Sequence, residues 1–196
     1  MNKRILTLAA LLAMPLSGCI SFGAKPPPSL LRLTSAEALP VGETQKSDAV
    51  GTIAIAVPSV SQELVSNRVP VRSGDTAVAY VKGAQWVEPP ARLFSRLLAD
   101  TVSARTGRIV LNFRQSQMDP GAKLGGELRI FGIDADKSEA VVAYDASLQR
   151  GAEPVFEKRR FEARVPVAKI DSETVGPALD QAANQVAAEV ADWVGK

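Results

Sequence analysis

Hydrophobic positions recur along this chain with two periods, and the switch between them marks out the elements. From Thr52 to Val57 the pattern alternates, with Ile53, Ile55 and Val57 on one face and Ala54 and Ala56 on the other. That predicts a central strand with its small residues packed under a helix, ended by Pro58. Arg68 to Arg72 and Thr76 to Val81 predict two short strands joined at Ser73-Gly74-Asp75. Pro70 assigns the first of them to a sheet edge, because proline cannot donate to a ladder. The period then changes. Leu93, Phe94, Leu97, Leu98, Thr101 and Val102 form one helical stripe between Glu88 and Thr106, while Arg92, Arg96, Asp100 and Arg105 lie mainly off it. Pro89 and Pro90 suit the first turn, and Gly107 suits the C-cap. Ile109 to Phe113 returns to strand, so strand, helix and strand predict a parallel crossover with the hairpin inserted.

The second half alternates over longer runs. Leu124–Asp136, Ala140–Gln149 and Val155–Val165 read as a meander, with Phe161, Ala163 and Val165 facing one way and Arg160, Glu162 and Arg164 the other. The apolar phase slips between Leu128/Ile130 and Phe131/Ile133, which places a bulge near Gly132. A closing helix from Thr174 to Val194 buries Leu179, Ala182, Val186, Val190 and Trp193, with acid at Asp171–Glu173 ahead of it. Leu30–Leu33 reads as a short strand, and Ser35–Val50 is polar without periodicity and reads as a surface loop. The fold class is α/β, a single domain with a mixed sheet of about five strands, two main helices and an inserted β-hairpin.

The N-terminus follows a different logic. Lys3 and Arg4 precede a twelve-residue, mostly apolar run, Ile5–Leu16, followed by Leu16-Ser17-Gly18-Cys19. The run is too short for a span, which needs about 20 residues. A basic start, a short apolar segment and small residues before a cut are the marks of a secretory signal. Leu-Ser-Gly-Cys resembles the lipobox of bacterial lipoproteins, which implies cleavage before Cys19 and lipidation of its thiol. The competing reading is an ordinary signal or short anchor with an incidental cysteine. Several acyl chains on one residue, at about 0.8 kcal/mol per buried CH₂, hold a protein on a membrane where one chain does not. The expected organisation is a leader over 1–18, a lipidated cysteine and Pro-rich tether over 19–28, and a periplasmic domain over 29–196. Pro26, Pro27 and Pro28 favour an extended tether. Ile20, rather than Asp, follows the cysteine, and the lipoprotein resemblance then implies the outer membrane, facing the periplasm, over the inner one.

Composition narrows the chemistry. The 196 residues contain no histidine and one cysteine. A Ser-His-Asp or Cys-His arrangement cannot be built, nor a zinc site using histidine, nor an internal disulfide. No catalytic residue, metal ligand or cofactor site is assigned. Removing residues 1–18 takes Lys3 and Arg4 with it, and the 21 acidic side chains are then matched by as many basic ones. With no basic run of five residues, nothing points to nucleic acid.

One stretch carries a resemblance. It runs Ile55-Ala56-Val57-Pro58, Glu63-Leu64-Val65, Arg68, Val78-Ala79-Tyr80, Gln85-Trp86-Val87-Glu88-Pro89, and then the helix through Val102. With the lipobox, it resembles the ABC-type transport auxiliary lipoprotein family, over about Leu30 to Val194. The resemblance implies a non-enzymatic lipoprotein beside an ABC permease and ATPase and a substrate-binding protein with an MCE domain, serving intermembrane transport of lipids or other hydrophobic molecules. It is compatible with a homo-oligomer. The alternative function is an envelope assembly or scaffold lipoprotein, pilotin-like or peptidoglycan-linked.

Four local features stand as candidates. Trp86 reads first as an aromatic stapling the helix start to the sheet, and second as a partner contact. Lys158-Arg159-Arg160 reads as a solvated strand face ahead of a lipid-headgroup contact. Asp134-Ala135-Asp136 reads as a strand-end turn rather than a cation site. Ser103 and Arg105 form no recognisable dyad.

Overall fold

The long alternating strand of the second half is the axis of the sheet. The computed structural model describes residues 29–46, 51–111, 120–151 and 155–196. The strands are β1 (Thr52–Ile55), β2 (Ser59–Val60), β3 (Arg68–Ser73), β4 (Ala77–Gln85), β5 (Ile109–Leu111), β6 (Ala122–Asp134), β7 (Glu139–Arg150) and β8 (Phe156–Pro166). The helices are α1 (Pro90–Thr106) and α2 (Val175–Val194), with a 3-10 turn at Gln62–Leu64. β7 lies antiparallel along all of β6, and β8 along β7. On the other side of β6 three strands pair with it in turn, all parallel: β1 at Lys123, β2 at Glu127 and β3 at Ile133. β5 extends the sheet beyond β1, and β4 beyond β3. The mixed α/β class is as the pattern predicted, but the sheet has eight strands rather than about five. Both the parallel crossover from β1 through α1 to β5 and the β6–β7–β8 meander are present.

Three local expectations are corrected. β3 lies between β4 and β6 and is no edge. Pro70 fits there because pairing with β6 begins only at Val71, and the β4 ladder is irregular between Arg68 and Pro70. The bulge in β6 falls between Leu128 and Ile130, not at Gly132. Gly132 has another cause: a Cβ on it would stand 2.5 Å from the Pro70 carbonyl oxygen, so only glycine lets β3 approach. Leu30–Leu33 forms a single bridge rather than a strand, Leu31 donating to Gln85 O at 2.7 Å and accepting from Val87 N at 2.9 Å. Of the strand expected over Ile109–Phe113, residues after Leu111 lie outside the described set.

The core sits between one face of the sheet and the two helices. All six stripe residues of α1 are buried, as are the five of α2. An aromatic chain links the layers edge to face: Trp86 to Phe131 at 5.3 Å, Phe131 to Phe94 at 6.4 Å, and Phe94 to Tyr144 at 5.3 Å. Gly107 closes α1 in the left-handed conformation (φ 70°), its N–H donating to Ser103 O. Asp171 fixes the turn ahead of α2, accepting from the backbone N–H groups of Glu173 and Thr174. The segment from Thr34 to Glu37 is fastened to the helices. Thr34 N donates to Asp180 Oδ1 and Ala36 N to Asn184 Oδ1, and Arg105 joins Glu37 to Asp192.

Candidate functional site on the uncovered face of the sheet

The helices cover one face of the sheet, and the period-2 alternation sends every second residue to the other. Strand register fixes what meets there. Across β6, β7 and β8 the successive rows are Lys123, Gln149 and Phe156; Gly125, Ser147 and Lys158; Glu127, Asp145 and Arg160; and, past the bulge, Gly132, Val141 and Arg164. The face therefore grades from rows without an acidic side chain at one end to densely ion-paired ones at the other.

At the ion-paired end Arg164 donates to Glu162 at 2.7 Å, Glu139 at 3.1 Å and Asp134 at 3.3 Å. These bonds raise the guanidinium pKa further above its ordinary value, with the Glu162 bond the largest cause. A cavity of about 280 Å³ lies beside it, floored by Pro70, Gly132 and Val141 and walled by Arg72, Asp134 and Arg164. The Asp134-Ala135-Asp136 segment is a turn at the end of β6, as its sequence suggests. Asp134 accepts from Lys137 N, and Asp136 accepts from Gly74 N at 2.7 Å and Ser73 Oγ at 3.2 Å, tying the β3–β4 turn to the β6–β7 turn. Among the described residues no group of three or more His, Cys, Asp or Glu is placed to hold a metal ion.

In the middle, Arg160 grips Asp145 at 2.5 and 2.8 Å, and Arg129 stands 3.5 Å from both Asp145 and Glu127. The Arg160 hydrogen bond is the main reason the Asp145 carboxyl lies below its ordinary range. Arg159 lies over the Phe161 ring at 4.9 Å.

At the apolar end β1 and β5 extend the surface, with Ala54 beside Lys123 and Leu111 beside Ala54. This corrects the expectation for the alanines. Helix α1 covers the Ile53 side of β1, while Ala54 and Ala56 face away and floor an open trough of about 880 Å³. Val57, the last residue of that alternation, stands 56 % exposed beyond the end of β1. Gly125 and Gly126 continue the floor, and Phe156 stands at its rim, 60 % exposed. Gly126 is a backbone requirement, since at φ 146° a Cβ would lie 2.0 Å from Asp145 O. Beneath the floor, the buried Tyr144 hydroxyl donates to Gly125 O at 2.7 Å, and burial pushes its pKa up. The sequence reading missed this surface. Its signal was present in the alanine pair and the double glycine.

Trp86 is fully buried against Phe131 and offers no surface to a partner, so that reading is withdrawn. The staple remains: Trp86 N donates to Asn67 O at 2.7 Å at the entry to α1. Cys19 lies outside the described residues. No helix among the described residues is long and apolar enough to cross a membrane.

Two helices on one face of a mixed eight-stranded sheet, with the other face uncovered, define a small α/β domain. Residues 33–191 match the family model of the ABC-type transport auxiliary lipoprotein component, and the chain belongs to that family. The fold is similar to that of protein XCC0632 from Xanthomonas campestris, a DUF330 protein, with 24% sequence identity and a TM-score of 0.69 over 85% of this chain and 94% of that one. It is also similar to the crystal structure of an uncharacterized protein, at 16% identity and a TM-score of 0.63, over 85% of this chain and 99% of that one. Among curated proteins none matches this chain. The family makes this an accessory component of an ABC-type transport system in the cell envelope and suggests a role other than catalysis.

Proposed function

We propose that this protein is a periplasmic subunit of an MCE/ABC-type system that moves lipids or other hydrophobic molecules between the two membranes, anchored to the outer membrane through acyl chains on Cys19. Family membership over residues 33–191 is the observation that carries the reading. The lipobox, the three-proline tether and the lack of histidine agree with it. An accessory subunit needs a rigid domain with a docking surface, and the helix-backed sheet is such a platform. Its immediate partner is an MCE-domain protein reaching across from the inner membrane, with the permease and ATPase beyond.

The test is capture of the lipidated protein from native membranes. Recovery of an MCE protein with ABC subunits is the expected result, and deletion of the gene should sensitise cells to detergents. Recovery of a secretin or a peptidoglycan-synthesis complex without those subunits would replace the reading with a scaffold role. Mass spectrometry of the mature N-terminus tests the anchor separately, because Cys19→Ala leaves no thiol to modify and should accumulate as uncleaved precursor.

A further inference from the structure

We infer that the trough on the uncovered face binds a single-chain amphiphile with an anionic phosphate head. The chain would lie on the floor formed by Ala54, Ala56 and Gly125, with the head at Lys158. Residues of all five strands β5, β1, β6, β7 and β8 line the trough. Crossing five strands at about 4.8 Å per gap spans about 19 Å, the length of an extended chain of about fifteen carbons. The volume of about 880 Å³ falls in the range of pockets that enclose one small ligand.

The lining is apolar or small at Leu111, Ala54, Ala56, Gly125 and Phe156, with Lys123 and Gln149 between Ala54 and Phe156 in the cross-strand row. The trough joins, at Gly126 and Ser147, a second cavity of about 580 Å³ lined by Lys158, Arg159 and Arg160. Its two carboxylates, Glu127 and Asp145, are already engaged by Arg129 and Arg160. Lys158 and Lys123 are exposed and have no hydrogen-bond or ion-pair partner among the described residues, while Arg159 turns its guanidinium to the Phe161 ring on the helix side. An apolar floor flanked by Lys123 and ending at Lys158, neither with a counter-ion among the described residues, complements a hydrocarbon chain that ends in an anion. The exposed Phe156 ring lines the trough at its β8 edge.

The inference rests on the transport reading for the source of such a molecule and on the trough alone for its geometry. The lipidated full chain in phosphatidylcholine nanodiscs is photolabelled with a sixteen-carbon lysophosphatidylglycerol carrying a diazirine at the chain end, and labelled peptides are mapped. Parallel arms use lysophosphatidylcholine, a diazirine palmitic acid and a diacyl phosphatidylglycerol built into the bilayer. The expected result is labelling at residues 54–57 and Leu111, at least fivefold weaker in Ala56→Phe. Gly125→Leu should behave alike, because its first carbon would meet Ala56 Cβ at an ordinary 3.8 Å and the fold is kept. Lys158→Glu should weaken lysophosphatidylglycerol labelling about threefold or more and leave lysophosphatidylcholine labelling unchanged. Labelling that survives both filling variants would overturn the site. Equal labelling by lysophosphatidylcholine or palmitate in the unmodified protein would overturn the phosphate assignment. Stronger labelling from the bilayer lipid would make this a membrane-contact surface instead. No transport subunit is present in this assay, so its failure leaves the capture experiment standing, and the reverse holds too.

Discussion

The two faces of this sheet come from the same strands and have opposite chemistry. On the helix side Phe94, Phe131, Tyr144 and Phe161 are buried among aliphatic side chains of α1 and α2. On the other side the same strands present Lys123, Lys158, Arg160, Glu162 and Arg164, with a low stretch at Ala54, Gly125, Gly126 and Ser147. Stability concentrates where large apolar area leaves water, at roughly 25 cal/mol per Å². The uncovered face contributes mostly exposed ion pairs, each worth about 0–1 kcal/mol. Large-to-small substitutions on the first face should therefore destabilise the whole sheet, whereas side-chain changes on much of the second should keep the fold and alter what that face binds.

The largest break in this contrast is expected from Phe94→Ala, which empties a fully buried site touching both Phe131 and Tyr144. A loss of about 3–5 kcal/mol in urea denaturation is expected. Leu97→Ala, on the same stripe, should cost about 2–5 kcal/mol. Gly126→Ala should cost about 3 kcal/mol although it lies on the uncovered face, because the new Cβ meets Asp145 O and the β6–β7 ladder must shift. A smaller loss would mean that the two strands separate easily there. At the low end, Arg96→Ala removes a mostly exposed partner of Glu88 and should cost about 0.5 kcal/mol. Equal costs for Leu97→Ala and Arg96→Ala would show that the helix phase is wrong.

The smallest expected effect is one of pH. Hydrogen bonds from Lys169 and Thr174 hold the Asp171 carboxyl at about 2, below its ordinary value near 3.8. A group lowered on folding stabilises fully above its unfolded pKa and stops doing so as pH falls through the folded one. The urea midpoint should therefore drop between about pH 4 and pH 2. Asp171→Asn should make that drop shallower, and an unchanged profile would remove this turn from the account.

Much of this was legible in the chain. The stripe from Leu93 to Val102 identified α1, its phase and its buried face, because helical spacing is a local property. The alternation in Phe161, Ala163 and Val165 gave β8 its two sides for the same reason. What failed to be read was relational. Pro70 pointed to an edge, yet β3 is interior, because Gly132 on a distant strand makes room for the ring. Trp86 offered a partner contact, yet it is sealed inside by Phe131, some 45 positions further along. The Ala54/Ala56 face was assigned to a helix that packs on the other side. The strand count fell short because the hairpin of β3 and β4 was read as an insertion although β3 pairs with β6, and because the two-residue β2 owes its pairing to β6 rather than to a pattern of its own.

The sequence by itself determined the periods of the elements, the helix ends at Pro90 and Gly107, the absence of histidine chemistry and the single thiol at Cys19. Each of these depends on neighbours within a few residues or on composition. Only the tertiary structure decided which side of each strand is covered, that β6 carries β1, β2 and β3 in succession, and that Ala54, Gly125, Ser147 and Lys158 share one surface. Alternation specifies that a strand has two faces. Which one meets the helices is set by a docking geometry that no local pattern contains.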